Sequence, residues 1–283
     1  MNIPKTILQV WINKDPLNQQ MQEAVNTWKD KNPEYDHILM NEEDCKLFLK
    51  ENFASDVQLA FDIINPIAGK VDLFRYCYLT AKGGVYVDID NVCIKPLDEW
   101  LTDKDKFVGV LDLPCLVGGS FYNRHLAIQN SLIICQQGHP FVWHAHKLAT
   151  YNILNRVHPN PAGIPQGFSP LVKITGPKLL ADAIKMALNN PWDKAFNLSE
   201  ECTPCGYRFP AKLVVDRNEK YHDKFNKCNI VDAKNNILVQ MKYEGYNPEN
   251  YWSTQQLYNH NINPLKNERI KPKTSYSSNE TKD

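Results

Sequence analysis

The chain has 283 residues, of which 43% are hydrophobic and 23% are charged, as in ordinary soluble globular proteins. Lysine plus arginine and aspartate plus glutamate each total 32, so the formal net charge is zero. Because a phosphate backbone is bound by a strongly positive surface, we expect no nucleic-acid partner.

Strands and helices are predicted to alternate from the start of the chain. Residues 3–12 cluster apolar side chains and predict a buried strand. Residues 18–31 carry apolar side chains at helical spacing, and Asn32-Pro33 ends that helix. A short strand at 35–40 precedes a helix over 41–53, which begins with acidic residues at its positive end.

A second long helix is predicted from near Pro66 through GKVDLFRYCYLTAK to the pair Gly83-Gly84. The next residues, Val85-Tyr86-Val87-Asp88-Ile89-Asp90, alternate between apolar and polar as one strand. A helix, a tight glycine turn and a strand in succession indicate an α/β fold.

Further strands are predicted at 106–111, 212–215 and 230–241, and a helix at 177–188. Residues 156–170 are rich in proline and glycine and predict a loop. The segment after 262 is polar and poor in bulky apolar side chains. We therefore expect one domain over 1–262 and a disordered polar tail over 263–283.

Targeting signals are not evident in the sequence. The N-terminal residues lack both the apolar run of a signal peptide and the roughly 20 apolar residues of a membrane-spanning helix. We therefore expect a soluble, cytoplasmic protein. Most cysteines stand in apolar stretches, which predicts reduced thiols and not a disulfide framework. The eight cysteines of the chain are Cys45, Cys77, Cys93, Cys115, Cys135, Cys202, Cys205 and Cys228.

The pair Asp88 and Asp90 is the strongest chemical signal in the sequence. Both follow an apolar strand, and residues two apart in a strand project to the same side. Two such carboxylates suit a hard divalent cation, Mn²⁺ or Mg²⁺, that binds a diphosphate. Solvated acidic turns often carry the same short pattern, so the prediction of a metal site depends mainly on the strand that precedes the pair.

A second polar group lies on the helix that precedes this strand. Asp72 and Arg75 are three residues apart and share one helix face, next to Tyr76. Their neighbours are mostly apolar, so we expect both to be partly buried and in need of partners. A sugar hydroxyl and a phosphate are partners of the right chemistry, whereas a solvated surface ion pair is the plainer interpretation.

Several linked motifs resemble one known family. The runs IPKTILQVWI, NTWKDKNPEY and AGKVDLFRYCYLTAKGGVYVDID, in that order, resemble the DxD-motif glycosyltransferase family 32, which includes fungal mannosyltransferases and galactosyltransferases. They are also similar to the catalytic domains of large clostridial glucosylating toxins. The resemblance is concentrated in the first hundred residues. It continues weakly at Asn130, Gly138-His139-Pro140, Thr175-Gly176-Pro177 and Trp252.

The resemblance implies a GT-A type, Rossmann-like single domain with a central mixed sheet flanked by helices. It implies a metal-dependent, retaining transfer of a hexose from a nucleotide sugar to a glycan, lipid or protein acceptor. UDP-hexose is our first choice of donor and GDP-mannose is the alternative. The implied roles fall on three groups of residues. They are donor binding by Trp11, Asp72, Arg75, Tyr76 and Trp252, metal binding by Asp88 and Asp90, and stabilisation of the reacting sugar by Asn130.

Two of these assignments have alternatives. A third metal ligand is expected in the segment YNPENYWS, where Asn250 is our first choice before Asn247 and Glu249. Trp11 in a first strand is also typical of a core residue, and Asn130 is also typical of a helix cap.

Other functions compatible with the motifs are a haloacid-dehalogenase-like phosphotransferase that uses Asp88 and Asp90, and an inactive sugar-nucleotide-binding module. The first requires a further downstream acidic pair that the sequence does not place after a strand. Residues 113–170 contain no aspartate or glutamate, which favours a retaining transfer without a carboxylate base.

Overall fold

A computed structural model describes residues 3–112, 127–159, 170–189, 204–205, 207–208, 211–216, 228–232, 234–241 and 256–262. Its elements begin as the hydrophobic pattern predicts, with strands and helices in alternation. The elements of the first hundred residues are β1 (Thr6–Val10), α1 (Gln19–Lys31), β2 (Asp36–Met40), α2 (Glu42–Asn52), α3 (Ser55–Ile63), α4 (Ile67–Lys82), β3 (Gly84–Val87), β4 (Asn91–Cys93) and a 3-10 turn at Leu97–Glu99.

Side-chain caps explain where two of the predicted helices begin. The Asn18 side chain accepts a hydrogen bond from the Met21 N–H at the start of α1. At α2, Asn41 accepts from the Asp44 N–H and Asp44 accepts from the Asn41 N–H, a reciprocal capping box. Helix α3 was not predicted, and its first residue follows Ala54, which makes no side-chain cap.

The later elements confirm the predicted helix at 177 and the predicted strands, although the segment 230–241 is two strands and not one. They are β5 (Phe107–Asp112), β6 (Ala127–Cys135), α5 (Pro140–Leu154), α6 (Leu171–Ile174), α7 (Pro177–Asn189), β7 (Pro204–Cys205), β8 (Tyr207–Arg208), β9 (Ala211–Asp216), β10 (Cys228–Asp232) and β11 (Ile237–Met241).

The described strands form a mixed sheet in the order β2-β1-β3-β6-β5-β9-β10-β11-β4, with β7 and β8 as a separate pair. Strand β1 is parallel to β2 and β3, and β6 runs antiparallel to β3 and β5. Strand β5 is parallel to β9. The predicted α/β class with a central mixed sheet is confirmed.

Apolar side chains cover both faces of this sheet. Ile7 of β1 and Val85 of β3 pack on one face with Trp28 of α1. The next residues along these strands, Leu8 and Tyr86, face the opposite layer, which contains helices α2 to α5 and α7. Helices therefore flank the sheet on both sides, as predicted.

Four cysteines lie within these described layers as buried free thiols, in agreement with the prediction; they are Cys45, Cys77, Cys93 and Cys135. Among the helices of the described ranges, none combines the length and the apolar character needed to cross a membrane.

The turn between α4 and β3 requires its two glycines. Gly83 has φ +71° and Gly84 has φ +101°, a region that residues with a side chain rarely adopt. A Cβ on Gly84 would lie 2.9 Å from the carbonyl oxygen of Thr6. The turn thus lets β3 enter the sheet close beside the start of β1.

Candidate active site

The predicted site residues meet beside β1, where the order in which the parallel strands are connected reverses. From β1 the chain moves to β2 on one side, and it later places β3 on the other side. In open α/β sheets, ligands bind beyond the carboxyl ends of the strands at such a switch point. Trp11 follows β1 and Asp88 follows β3, so both lie at this position.

The Asp88-Ile89-Asp90 motif occupies a turn and not the end of a strand, which corrects one prediction. Strand β3 ends at Val87, and the Asn91 N–H donates to the Asp88 carbonyl oxygen at 3.2 Å. The strand rule that places two carboxylates on one side therefore does not apply. The side chain of Asp88 is 29% exposed, whereas Asp90 is buried.

Arg75 joins the helix pair to the acidic turn. Its Nη2 lies 3.0 Å from Asp72 Oδ1 and 3.1 Å from Asp88 Oδ1. Its Nη1 donates to the carbonyl oxygen of Asn130, and its guanidinium lies over the ring of Tyr86 at 4.3 Å. We predicted partial burial with ligand groups as partners. The structure instead buries Asp72 and Arg75 almost fully and supplies protein partners.

Asn130 lies on β6, which runs past the end of β3 and carries this side chain to the site. Its Nδ2 donates to Asp72 Oδ1 at 2.8 Å and to the Tyr76 hydroxyl oxygen at 3.3 Å. The interpretation of Asn130 as a helix cap was therefore wrong. Among the described residues, none hydrogen-bonds its Oδ1, so this partial negative charge is available to a ligand.

Two further residues, Tyr86 and Thr175, complete this network, and the sequence pattern had predicted no role for either. The Tyr86 hydroxyl donates to Asp88 Oδ1 at 2.7 Å. The Thr175 hydroxyl donates to Asp72 Oδ2 at 2.9 Å, and the Thr175 carbonyl accepts from the Tyr76 hydroxyl at 2.9 Å. The spacing of Tyr86 and Asp88 was a usable signal, because Tyr86 lies on β3 and Asp88 directly follows this strand, which leaves the two side chains on the same side.

Gln9 hydrogen-bonds the backbone of the acidic turn from the neighbouring strand β1. It is fully buried on β1, and its Nε2 donates to the Asp88 carbonyl oxygen at 3.2 Å. Its Oε1 lies 2.8 Å from His37 Nε2 on the neighbouring strand β2. Buried polar groups inside a sheet need such partners, and here they fix the backbone of the motif.

Trp11 is neither a core residue nor fully exposed. It packs at the side of a small cluster that contains Met21, Val25 and Ile89, the middle residue of the acidic motif. Its Nε1 donates to the Asp15 carbonyl oxygen at 2.7 Å, which fixes the indole edge. A partly exposed indole beside the motif is suited to stack on a ligand ring.

Burial and charge act in opposite directions on the ionisable groups of the network. Burial raises the pKa of Asp72, while the charge of Arg75 and the hydrogen bonds from Thr175 and Asn130 oppose that rise. Burial lowers the pKa of Arg75, but Asp88, Tyr86 and Asp72 outweigh it, and the net shift is upward. The guanidinium therefore stays charged.

The described charged groups at the site are suited to a cation. Asp72, Asp88 and Asp90 carry formal charges of −1 each and Arg75 carries +1, which leaves −2. Carboxylate oxygens are the ligands that Mg²⁺ and Mn²⁺ prefer. No group of three acidic, histidine or cysteine side chains with metal-binding geometry is found within the described ranges. The predicted Asn250 and Trp252, with Asn247 and Glu249, lie outside those ranges.

A family of known proteins matches the part of the chain that contains the acidic turn. Residues 18–107 match the family model described as "Glycosyltransferase sugar-binding region containing DXD motif". The matched segment contains Asp72, Arg75, Asp88 and Asp90. The resemblance predicted from the sequence motifs is thereby confirmed.

Curated relatives include two fungal proteins with the same name, "Initiation-specific alpha-1,6-mannosyltransferase". The protein from Candida albicans is 32% identical over 49% of this chain and 40% of its own length. The protein from Schizosaccharomyces pombe is 28% identical over 66% of this chain and 49% of its own length. The matches thus span less than half of each relative.

Solved structures that match this chain include one titled "PaToxG Glycosyltransferase". It is 18% identical to this chain, with a TM-score of 0.47, and the superposition covers 69% of this chain and 74% of that one.

Proposed function

We propose that this chain, whose residues 18–107 match the DXD glycosyltransferase model, is a metal-dependent, retaining glycosyltransferase. It moves a hexose from a nucleotide-sugar donor to a glycan, lipid or protein acceptor. The observation that carries the proposal is the link through Arg75, which contacts Asp72 and Asp88 at the switch point of the sheet.

Mannose is the hexose we propose first. The two fungal relatives are named as alpha-1,6-mannosyltransferases, which supports GDP-mannose as the donor and UDP-hexoses as the alternatives. In this proposal Trp11 stacks on the nucleotide base, and its partly exposed indole beside the acidic turn supports that role. Tyr76 contributes to donor binding indirectly, because its buried hydroxyl hydrogen-bonds Thr175 and Asn130.

Asp88 and Asp90 would hold the divalent cation, with Asn250 proposed as a further ligand. The cation would neutralise the charge on the departing nucleoside diphosphate. Arg75 places a fixed positive charge beside Asp88, and this charge is oriented before the donor binds.

Asn130 has a separate role in this mechanism. Its two amide hydrogens are used by Asp72 and Tyr76, which fixes the orientation of the side chain. The remaining amide oxygen can then stabilise positive charge that develops on the sugar ring. An amide does this without competing for the proton of the acceptor.

The test is a panel of nucleotide sugars that contains GDP-mannose, UDP-glucose and UDP-galactose, each with Mn²⁺. We expect release of the nucleoside diphosphate from one of these donors and loss of that release when EDTA removes the metal. Calorimetric binding of the same donors, with and without Mn²⁺, provides a second measurement.

Two outcomes contradict the proposal. One is a well-folded protein that neither binds nor cleaves any donor in the panel. The other is metal-dependent release of phosphate from p-nitrophenyl phosphate without turnover of nucleotide sugars, which would favour the phosphotransferase alternative.

A further inference from the structure

Thr175 touches the buried charge pair from a distant part of the chain. It ends the short helix α6 and is fully buried. Its hydroxyl donates to Asp72 Oδ2 at 2.9 Å across a separation of 103 residues. Its own backbone N–H donates to the Leu171 carbonyl oxygen, so the helix end does not need the hydroxyl.

The hydroxyl completes the hydrogen bonding of the Asp72 carboxylate. Oδ1 is held by Arg75 Nη2 at 3.0 Å and by Asn130 Nδ2 at 2.8 Å. Among the described residues, Thr175 supplies the donor to Oδ2. A carboxylate held at both oxygens cannot rotate about its own bond, so it fixes the guanidinium that it contacts.

The same residue closes a ring of hydrogen bonds. The Thr175 carbonyl accepts from the Tyr76 hydroxyl, which in turn accepts from Asn130 Nδ2. Asn130 then returns to Asp72, the partner of the Thr175 hydroxyl. Because every member is buried, the ring is held away from water and its geometry is well defined.

We propose that Thr175 is a positioning residue of the donor site, whose hydroxyl orients Asp72 and, through it, the Arg75 guanidinium. The proposal rests on the function proposed above, in which Arg75 lies beside Asp88 and Asp88 would hold the cation on the nucleotide sugar. Thr175 itself has no contact with the reacting atoms.

Thr175→Val keeps the shape of the side chain and removes the hydroxyl. A hydrogen bond to a charged group that is lost in this way corresponds to about a 10- to 100-fold change. We expect kcat/KM for the donor to fall by that factor, mainly through a higher donor KM, because the Arg75 guanidinium that Asp72 orients also contacts Asp88, which would hold the cation on the donor diphosphate. Thr175→Ser restores the hydroxyl and should restore most of the loss.

The matched control is Thr150→Val. Thr150 is a buried threonine of α5 whose hydroxyl has no hydrogen-bond partner among the described residues. This variant makes the same change without touching Asp72, so its donor KM should equal that of the parent protein. If Thr175→Val does not fold, Thr175→Ala and Thr175→Ser differ by the hydroxyl alone and allow the same comparison.

The inference is overturned if folded Thr175→Val keeps the parent donor KM, or if Thr175→Ser loses as much activity as Thr175→Val. In both cases the parent protein turns over a nucleotide sugar, and the proposed function stands. A parent protein that turns over no donor overturns the proposed function first, and the inference with it.

Discussion

Asp90 is buried in the turn after β3, beside the partly exposed Asp88. We predict that Asp90→Asn removes metal-dependent transfer, since an amide keeps the shape but loses the charge that binds the cation. A cation supplies several kcal/mol to such a transfer, so the loss should be about 100-fold or more. Nucleoside diphosphate release at increasing Mn²⁺ concentration measures it.

Asp98→Asn serves as the control for this change. Asp98 is an exposed residue that pairs with Lys5 at 2.7 Å, away from the acidic turn. Its removal should leave turnover and Mn²⁺ dependence unchanged. Full turnover by a folded Asp90→Asn variant would exclude Asp90 as a metal ligand.

Arg75 gives the second prediction for a single residue. Its two terminal nitrogens reach Asp72, Asp88 and the Asn130 carbonyl, and a lysine ammonium cannot occupy all three directions. We expect Arg75→Lys to lower kcat/KM by about 100-fold and to destabilise the fold by about 1–3 kcal/mol, because a buried carbonyl loses its donor. Steady-state kinetics and urea unfolding measure the two effects.

The same substitution at Arg156 is the comparison. Arg156 binds the carbonyl oxygens of Asn259 and Ile262, which tie the segment 256–262 to the end of α5. Arg156→Lys should reduce stability without a specific loss of donor affinity. Equal kinetic effects at both positions would contradict a special role for Arg75.

A substitution in the turn between α4 and β3 should affect both the stability of the fold and the candidate active site. In Gly84→Ala, the positive φ costs about 1–2 kcal/mol, and the overlap with the Thr6 carbonyl adds about 1–3 kcal/mol. We expect a total loss of about 2–5 kcal/mol in the free energy of unfolding, measured by urea denaturation. Activity should fall as well, because Asp88 directly follows β3.

Gly138→Ala separates these two contributions. Gly138 has φ +72°, but a Cβ there meets no atom within 4 Å among the described residues. It should therefore lose only the conformational part, about 1–2 kcal/mol. If both variants lose the same stability, the close approach of β3 to Thr6 has no energetic importance.

The sequence predicted those elements whose boundaries carry local signals. Helix α2 has an asparagine cap and an acidic first turn, and α4 ends at a glycine pair. Helix α3 follows α2 after two residues and has no side-chain cap, so no local signal marked its start. Strand β6 was missed because buried polar residues, Gln129, Asn130 and Ser131, interrupt its apolar pattern.

The polar residues that interrupt β6 belong to the candidate site, because Asn130 is part of the buried hydrogen-bond network. The motif residues were found because they are adjacent in sequence and resemble a family. Thr175 and Gln9 were not assigned, since their partners are 103 and 79 residues away and no local pattern connects them. Both were identified only from the three-dimensional structure, in which the order of the strands brings these distant residues together.

At the scale of the whole molecule, the fold brings polar side chains from separate elements together beyond the carboxyl ends of β1 and β3. Gln9 comes from β1, Arg75 from α4 and Asn130 from β6, and each bonds a group of the acidic turn or of its partners. Each element also contributes to the apolar layers. The site is therefore as rigid as the core that supports it, which favours electrostatic preorganisation.

This arrangement makes a stereochemical prediction. An inverting transfer needs a carboxylate or histidine across the sugar from the leaving group to accept the proton of the acceptor. Within the described part of the site, Asp72 is bound at both oxygens, and Asp88 and Asp90 are the residues proposed for the cation. His37 is tied to Gln9 through Nε2. Residues 113–170 add no aspartate or glutamate.

Without such a base, the departing diphosphate is the group left to accept the proton, on the same face of the sugar that it leaves. An acceptor that enters on that face keeps the anomeric configuration, so an α-linked donor should give an α-linked product. The one-bond carbon–proton coupling at the anomeric centre, read by NMR with methanol or an alkyl glycoside as acceptor, distinguishes the two configurations. A β-linked product from an α-linked donor would require a base from outside the described site and would refute the retaining mechanism.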